Sequence, residues 1–375
     1  MILTIISHTP HYNYSGKIYG WGPTIREINY LSLIFSKIYH VAPLYKETFH
    51  NATSPYNSKK IKFVPIKPSG GQGLLNKIDI VLKSTYNLAI IHNICKKADW
   101  IQFRAPTNLG LYVLPYLSFV CTKYRWIKYA GDWNQYRAPL SYAFQKHWLQ
   151  NNFQKSLVTI NGQFPNQRNH LKSFENPCLP NNELTEAKNI FKSKTYYQKL
   201  NLCFVGRMDI QKGAEKILKA LLFMDNTSWI NSIYFVGEGP EKINYEIQAK
   251  QFQKIKIVFT GFISRSKLNK IYEKCHIQIL PSFASEGFPK VIAEGAAYGV
   301  VPIVSNVGGI KDYINQENGI LINDISAKKI SYALGWLQKY RSRLQDMAEN
   351  CHLFSKLFTF ESYNMKIKQI IKTNE

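Results

Sequence analysis

The sequence predicts an α/β protein made of two Rossmann-like, doubly wound domains that face each other across a cleft. Short apolar runs alternate with amphipathic stretches along the 375 residues, which is typical of parallel strands connected by helices. A polar stretch rich in proline and asparagine, between residues 176 and 199, interrupts this alternation once, and the alternation then begins again. Two such series joined by a linker predict two domains with a ligand-binding cleft between them.

The first domain is predicted over residues 1–180. It begins with an apolar run at residues 2–7, typical of a buried parallel strand. Residues 23–38 follow as an amphipathic helix, because their isoleucine and leucine side chains recur at helical spacing. The further strands of this domain are predicted at residues 40–44, 61–66, 100–103, 126–130 and 157–160.

The second domain is predicted over residues 181–358, and residues 359–375 form a last segment with a helix at 360–372. Helices are predicted at residues 213–223 and 289–298. The strands of this domain are predicted at residues 202–205, 233–236, 257–259, 277–280, 301–304 and 320–322.

Composition restricts the classes of function. The chain has 48 Lys and Arg against 24 Asp and Glu, and residues 1–180 alone carry 21 against 6, a net of +15. Such charge, with Trp126, Trp133 and Trp148, favours peripheral contact with an anionic membrane, although compositional drift would give the same excess. The longest apolar stretch, residues 109–121, is too short to span a bilayer. Six scattered cysteines without metal-ligand spacing indicate a cytoplasmic protein, at most bound to the inner face of the cell membrane, with no metal site.

The strongest pattern in the second series is a pair of glutamates, Glu286 and Glu294, eight positions apart in SEGFPKVIAEG. Pro289 fits the first position of a helix, where its missing N–H costs nothing. The free N–H groups near Phe288, Pro289 and Lys290 then predict an anion site between two carboxylates. This layout suits a nucleotide diphosphate sugar, and the alternative is a solvated helix with incidental glutamates.

A second pattern, GRMDIQKG, follows the first strand of this domain and contains Gly206, Arg207 and Lys212. Two cations on the turn after a strand suit a diphosphate, although a generic basic turn would look the same. Gly237 and Gly239, in VGEGP, and the glycines of SNVGG follow later strands. At these positions the backbone can approach a ligand closely, or the glycines serve only tight turns.

Together these motifs, with TGFIS, make residues 200–325 resemble the donor domain of glycosyltransferase family 4, which has the GT-B fold. The resemblance implies transfer with retention of anomeric configuration, without a divalent metal or other cofactor, from a UDP- or GDP-linked sugar. It implies that Glu286 contacts the donor sugar, that Glu294 binds the ribose, and that Arg207 and Lys212 hold the diphosphate. It further implies a terminal helix that crosses back to the N-terminal domain, and a glycan or lipid-linked acceptor in cell-surface polysaccharide synthesis.

The N-terminal domain departs from that family pattern. GWGPTIRE, with Gly22, resembles the glycine-rich loop that faces the diphosphate and the acceptor, but Trp21 replaces the usual small residue. Arg104 stands where the family often has a histidine, and a guanidinium cannot act as a base. Asp132 is therefore a candidate substitute on the acceptor side. His11 follows the first strand and either lines the cleft or belongs to a surface loop.

Other functions fit part of these observations. A nucleotide-sugar epimerase or a phosphorylase of the same architecture would also bind the donor. A non-catalytic nucleotide-sugar-binding protein would keep the donor motifs and tolerate the change at Arg104. A basic nucleic-acid-binding protein would explain the charge, but the lysines are scattered and no recognised nucleic-acid motif occurs, so we expect no nucleic-acid partner.

Overall fold

The computed structural model describes residues 1–46, 52–70, 74–135, 138–162, 167–284 and 287–374. They form two compact units, Met1–Asn176 with Tyr363–Glu375, and Pro177–Ser362. Each unit is built on a sheet whose central strands are parallel, which confirms the predicted fold class of two Rossmann-like domains. The first boundary lies four residues before the one expected from the sequence, and the chain returns to the first unit within its last helix.

The described residues of the first unit form ten strands and four helices before the chain enters the second unit. In chain order they are β1 (Ile2–Ile6), β2 (His11–Tyr14), β3 (Lys17–Trp21), α1 (Gly22–Leu31), β4 (Lys37–Tyr45), β5 (Thr53–Pro55), β6 (Ile61–Ile66), α2 (Leu74–Cys95), β7 (Trp100–Ala105), α3 (Gly110–Phe119), β8 (Tyr124–Tyr129), α4 (Leu140–Gln150), β9 (Leu157–Ile160) and β10 (Leu171–Ser173).

The parallel part of this sheet runs β6-β4-β1-β7-β8-β9-β10, so the direction of winding reverses between β1 and β7. An antiparallel hairpin of β2 and β3 is inserted between β1 and α1 and pairs onward with β5. Ser15 and Gly16 close the hairpin with φ of 50° and 76°, as a two-residue turn of the mirror-image type requires. The sequence prediction missed this hairpin, although the Ser-Gly pair between aromatic residues was a usable signal.

The prediction of one helix over residues 23–38 is wrong in its C-terminal half. The helix α1 ends at Leu31, and residues from Lys37 belong to β4. Ile38 pairs with Leu3 on one side and Ile61 on the other, so its apolar side chain serves a central strand rather than a helix face. Strand pairing across the sheet has overridden a local helical spacing here.

In the second unit, the part of the chain that the structure describes has six strands and seven helices, followed by a helix that returns to the first unit. In chain order they are α5 (Asn181–Ser193), β11 (Leu200–Val205), α6 (Ala214–Leu221), β12 (Ile230–Val236), α7 (Lys242–Ala249), β13 (Lys256–Gly261), α8 (Arg265–Lys274), β14 (Ile277–Leu280), α9 (Lys290–Ala297), β15 (Val301–Ser305), β16 (Ile320–Ile322), α10 (Ala327–Lys339), α11 (Arg341–Ser355) and α12 (Phe360–Asn374).

All six strands of the second unit are parallel, in the order β13-β12-β11-β14-β15-β16. The winding reverses between β11 and β14, and in doubly wound sheets ligands bind beyond the carboxyl ends of the strands at this reversal. The predicted strands at 277–280 and 320–322 have these bounds in the structure. Their side chains are mostly buried, which explains why they appear in the sequence as uninterrupted apolar runs.

The stretch interpreted as a linker up to residue 199 is largely helical. The helix α5 occupies Asn181–Ser193, and its Ala187 and Phe191 side chains are buried in the core of the second unit. The three polar residues at its start, Asn181, Asn182 and Glu183, led to the interpretation as a linker, but an amphipathic surface helix needs only one apolar face.

The helix α12 packs on the sheet of the first unit. Tyr363 and Ile367 are buried in one cluster with Leu3, Trp100 and Trp126. The Asn364 amide donates to the Tyr30 carbonyl at 2.9 Å. None of the helices in the described part of the chain is both long and apolar enough to cross a membrane.

Candidate functional site

The basic turn, Gly206–Gly213, follows β11 at the carboxyl edge of the second sheet, where the winding reverses. The Arg207 side chain is 70% exposed, and its Nε lies 3.1 Å from Asp209 Oδ2. The other oxygen of Asp209 accepts from the Lys212 backbone N–H at 3.0 Å and caps a short 3₁₀ turn over Ile210–Lys212. Asp209 thus shapes the turn and holds Arg207 beside it without burying its charge.

Two of the glycines predicted to approach a ligand instead allow two loops to pack together. A Cβ on Gly237, which has φ of 135°, would overlap the Gly206 carbonyl, and one on Gly239 would overlap the Met208 carbonyl. The Met208 N–H donates to the Glu238 carbonyl at 2.9 Å, and Met208 is buried. The VGEGP loop therefore supports the basic turn from the β12 side.

The loop after β14 supports the basic turn from the other side. Gly213 has φ of 75°, and a Cβ there would overlap the Pro281 carbonyl. The Phe283 N–H donates to the Gln211 carbonyl at 2.9 Å. The basic turn is thus in direct contact with the loop that leads to the glutamate pair, as the sequence prediction requires.

The helix α9 begins one residue later than expected. Pro289 has ψ of 116° and is the residue before the helix, so Lys290 is its first residue. The Phe288 ring is buried against the rings of Phe358 and Tyr313, at centroid distances of 4.7 and 5.0 Å. Phe288 therefore anchors the start of the helix, and its side chain does not point to an open donor site. The next glycine turn joins this loop, since the Gly309 N–H donates to the Gly287 carbonyl at 2.6 Å.

Glu294 lies on α9 with only 4% of its surface exposed. Its Oε1 is 2.6 Å from Arg265 Nη1, and Arg265 Nη2 is 2.5 Å from Glu183 Oε1. Burial alone would lower the pKa of the Arg265 guanidinium, but Glu294 and then Glu183 more than offset this and raise it. Arg265, on the first turn of α8, is a residue of this site that the sequence reasoning missed.

Glu286, the other member of the pair, lies outside the described residues. The described residues on both sides of it, Ala284 and Gly287, belong to the loop between β14 and α9. In the described part of the chain, no group of three or more His, Cys, Asp and Glu side chains could hold a metal ion.

The corresponding edge of the first unit holds a buried charge cluster. Arg104, predicted on the acceptor side, is 8% exposed, and its Nη2 lies 2.6 Å from Glu27 Oε1. The Lys128 ammonium contacts the same oxygen at 2.7 Å, and Arg104 Nε donates to Gln102 at 2.9 Å. Arg104 is therefore bound within its own unit, and its place on the acceptor side stays a prediction.

His11 is also internal. It lies in β2, is fully buried, and contacts the Thr9 carbonyl and the Tyr56 hydroxyl, each at 2.8 Å. The same hydroxyl contacts His40 at 2.6 Å. Burial lowers the pKa of His11 to about 4, so the ring is neutral near pH 7. The structure contradicts both the cleft position and the surface-loop position expected for this residue.

The remaining predicted residues of the first unit differ in exposure. Trp21 ends β3 and is 46% exposed, whereas Gly22 begins α1 and donates its N–H to the Ala52 carbonyl at 3.0 Å. The GWGP segment is therefore the end of a hairpin rather than a loop directly after the first strand. Asp132 is half-buried after β8, where it accepts from the Asn134 N–H at 2.9 Å.

Comparison with known proteins finds similarity in the second unit. Residues 185–353, a little under half of the chain, match the family model of glycosyl transferases group 1. They include the basic turn and α9. An uncharacterized glycosyltransferase of Methanocaldococcus jannaschii is 30% identical over 142 residues, 36% of this chain and 34% of that protein. The D-rhamnosyltransferase WbpZ of Pseudomonas aeruginosa is 28% identical over 160 residues, 42% and 41% of the two chains.

These matches span well under two thirds of either relative. Among solved structures, HepE of Anabaena in complex with UDP superposes with a TM-score of 0.70 at 15% identity, covering 100% of both chains. A structure of HepE with UDP-glucose gives a TM-score of 0.64 at 15% identity, with 99% of both chains covered. This likeness is one of fold, and the fold is that of GT-B glycosyltransferases.

Proposed function

We propose that this protein is a glycosyltransferase that moves a sugar from a nucleotide diphosphate sugar to a glycan or lipid-linked acceptor in cell-surface polysaccharide synthesis. The observation that carries the proposal is the exposed basic turn at the winding reversal of the second unit, in contact with the loop between β14 and α9. The match of residues 185–353 to group 1 glycosyl transferases supports it independently of that geometry.

In this proposal Arg207 and Lys212 hold the diphosphate and stabilise the negative charge that grows on it as the bond to the sugar breaks. The first N–H groups of α9, beyond Pro289, add a positive helix end next to the same loop. Protein cations would then do what a divalent metal does in other transferases, so transfer proceeds in the presence of a chelator. Glu294 binds the ribose and Glu286 contacts the sugar, as the resemblance to family 4 implies.

The reaction retains the anomeric configuration, because the acceptor hydroxyl approaches the face from which the nucleotide diphosphate leaves. The bond from the anomeric carbon to the β-phosphate breaks, the bond to the acceptor oxygen forms, and the hydroxyl proton goes to the departing diphosphate. UDP is the first nucleotide to test, since HepE, which shares the fold, binds UDP and UDP-glucose.

The test is a transfer assay with UDP- and GDP-sugars, alkyl glycosides as model acceptors and a chelator present. We expect release of the nucleotide diphosphate that depends on the acceptor, with a product whose anomeric coupling constant matches that of the donor. The substitutions Glu286→Ala and Lys212→Ala should each lower turnover by about 10²–10³-fold. Lys219→Ala is the matched control, because that lysine lies on the next helix in an exposed pair with Glu215.

Each alternative function gives a different result in the same assay. Conversion of the donor to another nucleotide sugar without any acceptor would identify an epimerase. Donor binding without release or conversion would identify a non-catalytic binding protein. Inversion at the anomeric carbon, or full inhibition by the chelator, would refute retention or metal independence while leaving glycosyl transfer intact.

A further inference from the structure

We infer that the first unit carries a membrane-docking surface for anionic lipid, centred on an aromatic patch of Phe119, Phe144, Trp148 and Phe153. Phe119 ends α3, Phe144 and Trp148 lie on α4, and Phe153 follows α4. The three phenylalanine rings surround the indole, with centroid distances to Trp148 of 5.8 Å from Phe119 and 5.4 Å from each of the others. The inference goes beyond the proposed transfer reaction and does not depend on it.

The apolar side chains of the patch are largely exposed to solvent. Phe119, Phe144 and Phe153 are 78%, 38% and 47% exposed, and the neighbouring Val120 is 59% exposed. Leu140, one helical turn before Phe144 on the same face of α4, is 90% exposed. Contiguous apolar side chains of this kind mark an interaction surface rather than scattered exposure.

Trp148 gives the patch a fixed shape. Its indole Nε1 donates to Ser118 Oγ at 3.1 Å, so its polar atom is satisfied inside the unit. The sequence prediction had attributed membrane contact also to Trp126 and Trp133, but these are 0% and 5% exposed and belong to the core. Of the three tryptophans, only Trp148 reaches the surface.

Basic side chains lie on the segments that carry the patch. Arg125 donates to the carbonyls of Cys121 and Gln154, which are near Phe119 and Phe153 in the chain. Arg168 donates to the Gln150 carbonyl at the end of α4. Lys123 and the exposed Lys155 flank the same two segments. From residue 100 to residue 174 the sequence has nine Lys and Arg and one acidic residue, Asp132. Two of the nine, Arg104 and Lys128, are buried against Glu27 and do not contribute to this surface.

This combination favours an anionic bilayer over other occupants. The apolar side chains gain by entering the boundary between headgroups and acyl chains, and the cations gain from anionic headgroups. A second copy of the chain would bring the same positive charge to the interface and repel it. Nucleic acid would satisfy the cations and stack on the exposed phenylalanine rings, but it would leave the aliphatic Val120 and Leu140 in water, and no recognised nucleic-acid motif occurs in the sequence.

The test is flotation of the full-length protein with vesicles of phosphatidylcholine alone and of phosphatidylcholine mixed with phosphatidylglycerol. We expect binding only to the anionic vesicles. The double variant Phe119→Ser/Phe153→Ser should lose it, and Lys123→Ala/Lys155→Ala should weaken it roughly 25-fold, at about fivefold per lysine. The matched control, Phe223→Ser/Tyr332→Ser, removes two exposed aromatics from the second unit and should bind as the unaltered protein does.

Circular dichroism and thermal unfolding of all variants check that they are folded. The inference is overturned if anionic vesicles do not bind the protein, or if the Phe119/Phe153 variant floats as well as the control. It is equally overturned if that variant loses only a DNA gel shift, which would identify a nucleic-acid surface. Loss of a concentration-dependent dimer instead of vesicle binding would identify an interface between copies.

Discussion

The two units use the same sheet architecture, but their charged residues have opposite environments at the edge where the winding reverses. In the second unit Arg207 is mostly exposed on a turn that glycines hold in place. In the first unit Arg104 and Lys128 are nearly buried and share the carboxylate of Glu27. Charges left accessible can bind an anion, whereas charges neutralised internally hold the fold together. The comparison supports the proposal that the donor binds to the second unit.

The largest expected effect is on stability, from Glu27→Ala in the first unit. The substitution leaves two buried cations without their shared carboxylate and should cost about 3–5 kcal/mol of unfolding free energy. Glu215→Ala, which breaks an exposed pair in the second unit, should cost between about 0 and 1 kcal/mol. Urea unfolding measures both, and hydrogen exchange in β7 and β8 localises the first. An equal loss of unfolding free energy in the two variants would contradict the distinction between buried charges in the first unit and exposed charges in the second.

The next prediction tests whether Arg265 positions the side chain of Glu294. Arg265→Met leaves the carboxylates of Glu294 and Glu183 uncompensated, so the KM for the donor should rise about 10- to 30-fold, or ~1.4–2 kcal/mol. We expect kcat to change much less, and Arg265→Lys to recover part of the loss. A merely structural role would lower the thermal midpoint and leave the KM of the folded fraction unchanged.

The smallest effect concerns the contact between the basic turn and the loop after β14. Gly213→Ala forces a side chain into the left-handed region, where its Cβ would overlap the Pro281 carbonyl, and should cost roughly 1 kcal/mol. Gly335→Ala in α10 meets nothing within 4 Å and should stabilise by about 0.5–1 kcal/mol. Thermal unfolding compares the two variants. A neutral Gly213→Ala would show that this contact is not needed to fix the turn.

The longer parallel strands of the two units were predicted about equally well. Most of them appear in the sequence as short apolar runs between loops, and the strands at 61–66, 157–160, 277–280 and 320–322 have the expected bounds. The β2–β3 hairpin of the first unit is short and half-exposed, so no apolar run marks it. Because β2 and β3 are inserted between β1 and α1, Gly22 does not lie in a loop directly after the first strand, where a simple alternation of strands and helices would place it.

Within the site, local motifs were predictable and long-range ion pairs were not. The basic turn and the β14–α9 loop are each a continuous stretch of sequence. The contact between them follows from the pairing of β11 with β14 in the sheet. Arg265 and Glu183 are 82 positions apart, and Arg104 and Glu27 are 77 apart. The spacing of apolar residues in the sequence gives information only about residues close together in the chain. It therefore could not show that Glu27 neutralises Arg104. A glutamate four positions before Leu31 on the buried face of α1 was the available signal for Glu27.

The most direct measurement of the central claim is calorimetric titration of UDP, and of GDP in parallel, into the full-length protein and three lysine or arginine variants. We predict binding of one nucleotide by the unaltered protein, at least tenfold weaker binding by Arg207→Ala and by Lys212→Ala, and unchanged binding by Lys219→Ala. Thermal midpoints should stay within about 2–4 °C, since these substitutions lie on the surface. Unaltered affinity in both Arg207→Ala and Lys212→Ala, or the absence of binding to either nucleotide, would contradict the assignment of the basic turn to the donor diphosphate.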